Sequence, residues 1–242
     1  MEIICLDTVD STNTWVSQNE KNLPSPSIVR CNTQSAGRGQ RGNSWESESG
    51  KNFTGTVLIH PEDFPASSQF QLSEAIALAI VETISDYGIE AKIKWPNDIY
   101  VGDKKICGIL VENVITGTKI SRSIAGFGLN VNQEKFISDA PNPVSLKQLT
   151  GKDYDLDEVS ERLAMSIERK LEEIVNPAQL HADFKKKLWR KDEKFYSFHD
   201  RKAGEKIEAR IHEVGLDGIL TLVTSDGDSR NYAFKEVEFI LG

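Results

Sequence analysis

Between Ser68 and Gly88, the residues Leu72, Ala75, Ile76, Ala79, Ile80 and Ile84 recur at helical spacing, and this stripe constrains the fold more than any other feature. A helix so apolar on one face must be covered by a sheet or by other helices. Ser68 and Gln71 are spaced as a capping box, and Gly88 stands where the helix should stop. Strand-like runs flank it. Upstream are residues 3–6, 28–31 and 53–59; downstream are segments near 91–95, 99–101, 108–112 and 123–128. Val159, Leu163, Ile167 and Leu171 mark a second helix over about 157–174. Residues 10–13 offer caps to a shorter helix through Trp15 and Val16.

The character changes after Trp189. Residues 187–194 are highly charged and read as a linker. Beyond them Ile207, Ala209 and Ile211 alternate with Glu208, Arg210 and His212. A Gly-Leu-Asp-Gly turn and an Asp226-Gly227 hairpin signal follow. This pattern predicts a small β-barrel of about 50 residues, marginally stable on its own and therefore expected to dock on the larger part. The expected division is 1–190 and 191–242.

A net charge of -8 makes general nucleic-acid binding a poor expectation, because affinity for phosphate backbones comes from clustered Lys and Arg. Cys5, Cys31 and Cys107 are far apart and odd in number, so no disulfide framework or zinc spacing is readable. The four histidines give no metal-ligand spacing either, and any metal site is left unassigned. No secretory signal and no run of about 18 apolar residues is present, so the expectation is a cytoplasmic protein with no membrane partner.

Four polar stretches could carry chemistry. Residues 34–45 read Gln-Ser-Ala-Gly-Arg-Gly-Gln-Arg-Gly-Asn-Ser-Trp. Three glycines within six residues let backbone approach a ligand closely, and successive amides can form an anion nest. Arg38 and Arg41 add forked donors for carboxylate or phosphate, and Trp45 could stack on a base. The Walker Gly-Lys-Ser/Thr ending is absent, and the same composition also fits a surface loop with solvated arginines. Residues 94–98, Lys-Trp-Pro-Asn-Asp, break a strand, and the chain returns with Lys105 entering an apolar run. That lysine could neutralise phosphate charge, or Lys104 and Lys105 could simply face solvent. Gly126 and Gly128 bracket Phe127, as a ligand contact or a strand-end bulge. Residues 10–13 cap a helix whose free N-terminal donors could also serve a ligand.

Taken in order, Ser-Thr-Asn (11–13), Ala-Gly-Arg-Gly-x-x-Gly-x-x-Trp (36–45), Lys-Trp-Pro-Asn-Asp (94–98), Lys-x-x-Gly-Ile-Leu-x-Glu (105–112) and Gly-x-Gly-x-Asn-Val-Asn (126–132) resemble the biotin protein ligases. The resemblance implies an α+β fold: a mixed β-sheet catalytic domain with helices mainly on one face, plus a small C-terminal SH3-like β-barrel. It implies that biotin is activated with Mg2+-ATP to biotinyl-5'-AMP and then transferred to a lysine of a biotin carboxyl carrier protein or domain. Ser11, Thr12, Asn13 and Gln34 match positions around the biotin head, with Gly108 and Gly126 beside them. The backbone of Gly37 and the side chain of Arg38 match the loop closing over biotin and phosphate. Lys105 matches the lysine contacting both the biotin carboxylate and the α-phosphate. Arg41, Trp45, Asn97 and Asn130 fall in the adenylate pocket. Asp98 would orient the incoming carrier lysine, so Lys105, Arg38 and Asp98 form the implied catalytic set.

The first motif begins so early that a short member without an N-terminal DNA-binding domain is expected, with no DNA partner; a homodimer is compatible. This chain departs from the pattern at Gln40 and Asn43, where many relatives carry basic residues. The expectation is weaker retention of the adenylate, or compensation by Arg41 or Lys51. No residue of the C-terminal barrel can be matched to a ligand contact. A lipoate ligase and a non-catalytic sensor are the alternatives; Ser11, Thr12 and Gln34 argue against the first, and Lys105 against the second.

Overall fold

The computed structural model describes residues 1–39, 43–138 and 142–241. Seven strands form the larger sheet: β1 (Glu2–Val9), β2 (Ser27–Gln34), β3 (Phe53–Ile59), β4 (Lys92–Lys94), β5 (Asp98–Val101), β6 (Lys104–Thr116) and β7 (Lys119–Leu129). Their order is β1-β2-β3-β7-β6-β5-β4. The β1–β2 pair is parallel and is crossed by helix α1 (Thr12–Asn19); the other pairs are antiparallel.

Alternation in the central strands assigns their side chains to two layers. Ile28, Val57 and Ala125 face the main core under α2 (Gln69–Ser85), with α4 (Leu156–Glu172) and α5 (Pro177–Lys186) packed behind. Their neighbours Val29, Leu58 and Ile124 point the other way and bury Val16 of α1. The long helices α2, α4 and α5 therefore lie on one face and the short α1 on the other, as expected.

Two local readings change. Ser68 precedes α2 but makes no side-chain cap bond, because a 3-10 turn at Ala66–Ser68 leads into the helix. The reciprocal capping box lies instead at α3 (Leu146–Thr150), where Ser145 and Gln148 bond each other's backbone. Gly126 and Gly128 are not at a bulge either. They sit in unbroken register between β3 and β6.

The C-terminal strands β8 (Tyr196–Asp200), β9 (Glu205–Val214), β10 (Leu220–Thr224), β11 (Ser229–Tyr232) and β12 (Val237–Phe239) form an antiparallel sheet ordered β11-β10-β9-β8-β12. Among the described residues no β11–β12 ladder closes it. The core runs unbroken between the two sheets. Trp95 donates from Nε1 to the Gly218 carbonyl at 3.0 Å, and Phe234 packs against Phe70 and Trp95. The charged stretch at 187–194 conceals a structural strap. Leu188 and Trp189 are buried, and backbone bonds Ile93 N to Lys187 O and Trp189 N to Ile93 O tie it beside β4. No described helix is long and apolar enough to cross a membrane.

Candidate active site

The floor of the site is made of backbone. Gly126 and Gly128 face the cavity from β7, and Gly108 does so from β6. A Cβ at Gly126 would run into the Asn13 amide, and one at Gly128 into the Trp45 indole. A Cβ at Gly108 would lie 2.9 Å from the same ring. The glycines are thus required by close approach of side chains, not by special dihedrals.

At the start of α1, Ser11, Thr12 and Asn13 are only 3–4% exposed. Ser11 stands at the N-cap, yet its side chain makes no cap bond and lines the cavity wall. Asn13 is held from both ends: Oδ1 accepts from Thr56 Oγ1 at 2.7 Å and Nδ2 donates to Glu112 Oε2 at 2.8 Å. Gln34 Oε1 accepts from the Thr12 backbone N–H at 2.8 Å, which fixes the end of β2 against α1.

The glycine-rich stretch leaves β2 as a zipped hairpin. Arg38 pairs with Ser44, Gly39 N bonds Asn43 O at 2.7 Å, and Trp45 N bonds Gly37 O at 3.0 Å. Gln40, Arg41 and Gly42 lie outside the described residues, so the expected role of Arg41 has no placement. The Arg38 guanidinium forms an ion pair with Glu112, the same carboxylate that holds Asn13.

Opposite it, the β5–β6 hairpin presents Lys105. Its ammonium lies 2.7 Å from Asp98 Oδ1 and 5.6 Å from the centre of the Trp45 ring. Lys94 reaches the other oxygen of Asp98 at 3.9 Å. Burial pushes the Lys94 amine below the ordinary lysine value, an effect that Lys105 and Arg190 reinforce and Asp98 opposes. Asn97 spends its side chain on structure, donating to the Ile109 carbonyl at 2.5 Å. Asn130 donates to Val144 O but keeps Oδ1 buried without a partner among the described residues, as does Trp45 Nε1.

These groups enclose one cavity of about 650 Å³, lined at one end by Ser11, Thr12 and Gln34 and elsewhere by Arg38, Lys105 and Asn130. All the expected site residues among those described reach it except Gly37, which lines a second cavity. Lys51, expected as a compensating cation, lines neither. Sequence reasoning passed over Thr56, Lys94 and Glu112, although the last two stand inside motifs already singled out. It also assigned nothing to the C-terminal strands, yet Lys235, Glu238 and Phe239 line the cavity. Among the described residues no three His, Cys, Asp or Glu side chains form a metal-binding group.

Residues 5–130 match the model of the biotin/lipoate A/B protein ligase family. The biotin–[acetyl-CoA-carboxylase] ligase of Paracoccus denitrificans is 33% identical over 171 residues, covering 68% of this chain and 70% of that protein. The bifunctional ligase/repressor BirA of Bacillus subtilis is 31% identical over 175 residues, covering 69% of this chain and 53% of that one. This chain therefore spans about half the length of the Bacillus relatives it matches. A crystal structure of the biotin protein ligase of Aquifex aeolicus in complex with biotin and ATP superposes with a TM-score of 0.82 at 24% identity, over 100% of this chain and 99% of that one. The family match spans more than half of the chain, the Paracoccus relative is aligned over more than two thirds of its own length, and so this chain belongs to the biotin/lipoate A/B protein ligase family.

Proposed function

We propose that the chain is an ATP-dependent biotin protein ligase. The observation that carries this reading is the shared cavity: Arg38 and Lys105, from separate motifs, face one space that also holds the uncharged hydrogen-bonding wall of Ser11, Thr12 and Gln34. A ureido ring offers two N–H donors and a carbonyl, and leaving one such group unpaired on burial costs about 1–3 kcal/mol. The polar wall suits that head; the two cations suit the carboxylate at its other end.

In the first step a biotin carboxylate oxygen bonds to the α-phosphorus of ATP. The bond from that phosphorus to the bridging oxygen breaks, and the electron pair leaves on pyrophosphate. Two anions must approach each other, and Arg38 and Lys105 cancel their repulsion while stabilising the charge that develops. Mg2+ arriving with ATP would supply further neutralisation of the triphosphate charge, and among the described residues no group of three His, Cys, Asp or Glu side chains would hold it apart from the nucleotide. Asn130 and Trp45 offer unspent polar atoms to the adenylate, and Asn97 supports their wall through its bond to Ile109.

In the second step the amine of a carrier-domain lysine attacks the acyl carbon, AMP leaves with the bonding pair, and the amine gives up a proton. Asp98 is held by Lys105 before ligand arrives. Once Lys105 turns to the ligand's anions, the Asp98 carboxylate is released to orient that incoming ammonium and take its proton. The reading carries with it a carboxylase carrier domain as partner, a cytoplasmic location, and a division at about residue 190 into a catalytic unit and a unit of SH3-like type.

The test is biotin-dependent exchange of pyrophosphate into ATP. Wild type is expected to exchange with biotin and not with lipoate, and Lys105→Ala to lose at least about 100-fold. Exchange with lipoate alone would sink the biotin reading.

A further inference from the structure

We propose that Lys235 binds the β- and γ-phosphates of the nucleotide. This rests on the ligase reading above and extends it to the C-terminal strands.

Lys235 stands in the turn between β11 and β12. It lines the 650 Å³ cavity and also the second one, about 730 Å³, which the glycine hairpin lines too. Arg38, Gly39, Asn43 and Ser44 likewise line both. The lysine and the hairpin therefore border the same two spaces.

Its charge is uncommitted. Arg38 is paired with Glu112, and Lys105 with Asp98. The two acids nearest Lys235 along the chain are already engaged, Glu236 with Lys202 at 2.6 Å and Glu238 with Arg201. Among the described residues no carboxylate lies within ion-pair distance of Lys235.

The backbone at this position is left-handed, with φ +76. That region disfavours any residue with a Cβ and favours glycine. Phe234, next to it, fixes the turn by packing at 5.9 Å from Phe70 and 5.4 Å from Trp95. A lysine is thus kept, at a conformational cost, at the mouth of a cavity. Asn43, on the hairpin that lines the same spaces, is uncharged. Lys235 adds a cation to the spaces that this hairpin lines. A compact ammonium suits the terminal phosphates as a point charge. When the bond between the α-phosphorus and the bridging oxygen breaks, the leaving pyrophosphate carries its added charge toward Lys235.

Lys235→Gly, Lys235→Gln and Lys235→Arg separate this role from a structural one. The glycine variant relieves the left-handed strain, so it should melt at or above the wild-type temperature. In pyrophosphate–ATP exchange, the glycine and glutamine variants should raise the KM for ATP about ten-fold, the size of one lost charge-assisted hydrogen bond. The KM for biotin should stay within about two-fold. The Kd for added biotinyl-5'-AMP, read from tryptophan fluorescence, should also hold, because that ligand has no β- or γ-phosphate. Arginine should restore most of the ATP affinity. An unchanged KM for ATP, or a loss of biotinyl-5'-AMP affinity as large as the loss for ATP, overturns the proposal. Absence of exchange in the wild type overturns the ligase reading itself, and this assignment with it.

Discussion

Lys94 brings burial and charge into direct opposition. Its ammonium lies 5.0 Å from the Tyr100 ring and 5.3 Å from the Phe239 ring, with Asp98 at 3.9 Å. Desolvation dominates, and the amine loses its proton more readily in the folded chain than at the ordinary value of 10.5. In the window below 10.5 the unfolded chain holds that proton more tightly than the folded one, so this group's contribution to stability rises with pH there. Lys94→Met keeps the length and removes the buried charge. It should be more resistant to urea than wild type at pH 8, with the advantage shrinking by pH 10. A constant advantage at both pH values would refute the linkage. Residues of this kind are only partly legible in sequence. Lys94, Asp98 and Lys105 stand in recognisable motifs, but which lysine approaches which carboxylate oxygen depends on the register of β5 against β6. Lys235 has no motif at all. Its meaning comes from a hairpin nearly two hundred positions away in the chain, which no local pattern can report.

Among elements, β3 bears most directly on the site. All seven of its residues are buried, and its Thr56 hydroxyl bonds both Thr12 and Asn13 at the start of α1. Thr56→Val preserves the shape and removes the hydroxyl. The Asn13 carbonyl oxygen then loses its buried partner, at a cost of about 1–3 kcal/mol. Urea denaturation should show that loss, together with a raised KM for biotin. Full stability in the valine variant would mean that Val16 and the bonds from Thr12 to Gln34 and from Asn13 to Glu112 position α1 without this hydroxyl. The long helices and central strands were readable because their apolar periods are strong. Element ends were less so. Ser68 has the spacing of a cap without the bond, and Leu188 and Trp189 vanish within a run of lysines and arginines. In each case tertiary packing, not local preference, decides where the backbone bonds go.

At the scale of the whole molecule, the two sheets share one core, so they should unfold together. Far-UV circular dichroism and tryptophan fluorescence should give coincident urea transitions. Two separated transitions would show that the C-terminal strands fold independently. Trp95→Phe should keep a single transition but lower stability by about 2–3 kcal/mol, through the lost bond to Gly218 and the smaller ring. Gly218 has its own constraint. With φ +84 it lies so close to Phe70 that an added Cβ would sit 2.8 Å from that ring. This turn therefore couples the lineage of the C-terminal strands to that of the active site. A chimera that takes its last strands from a relative must also inherit a glycine here and a carbonyl facing the tryptophan of the Lys-Trp-Pro-Asn-Asp motif. Without both, the graft would arrive folded on its own terms and tilt the wall on which the substrates meet.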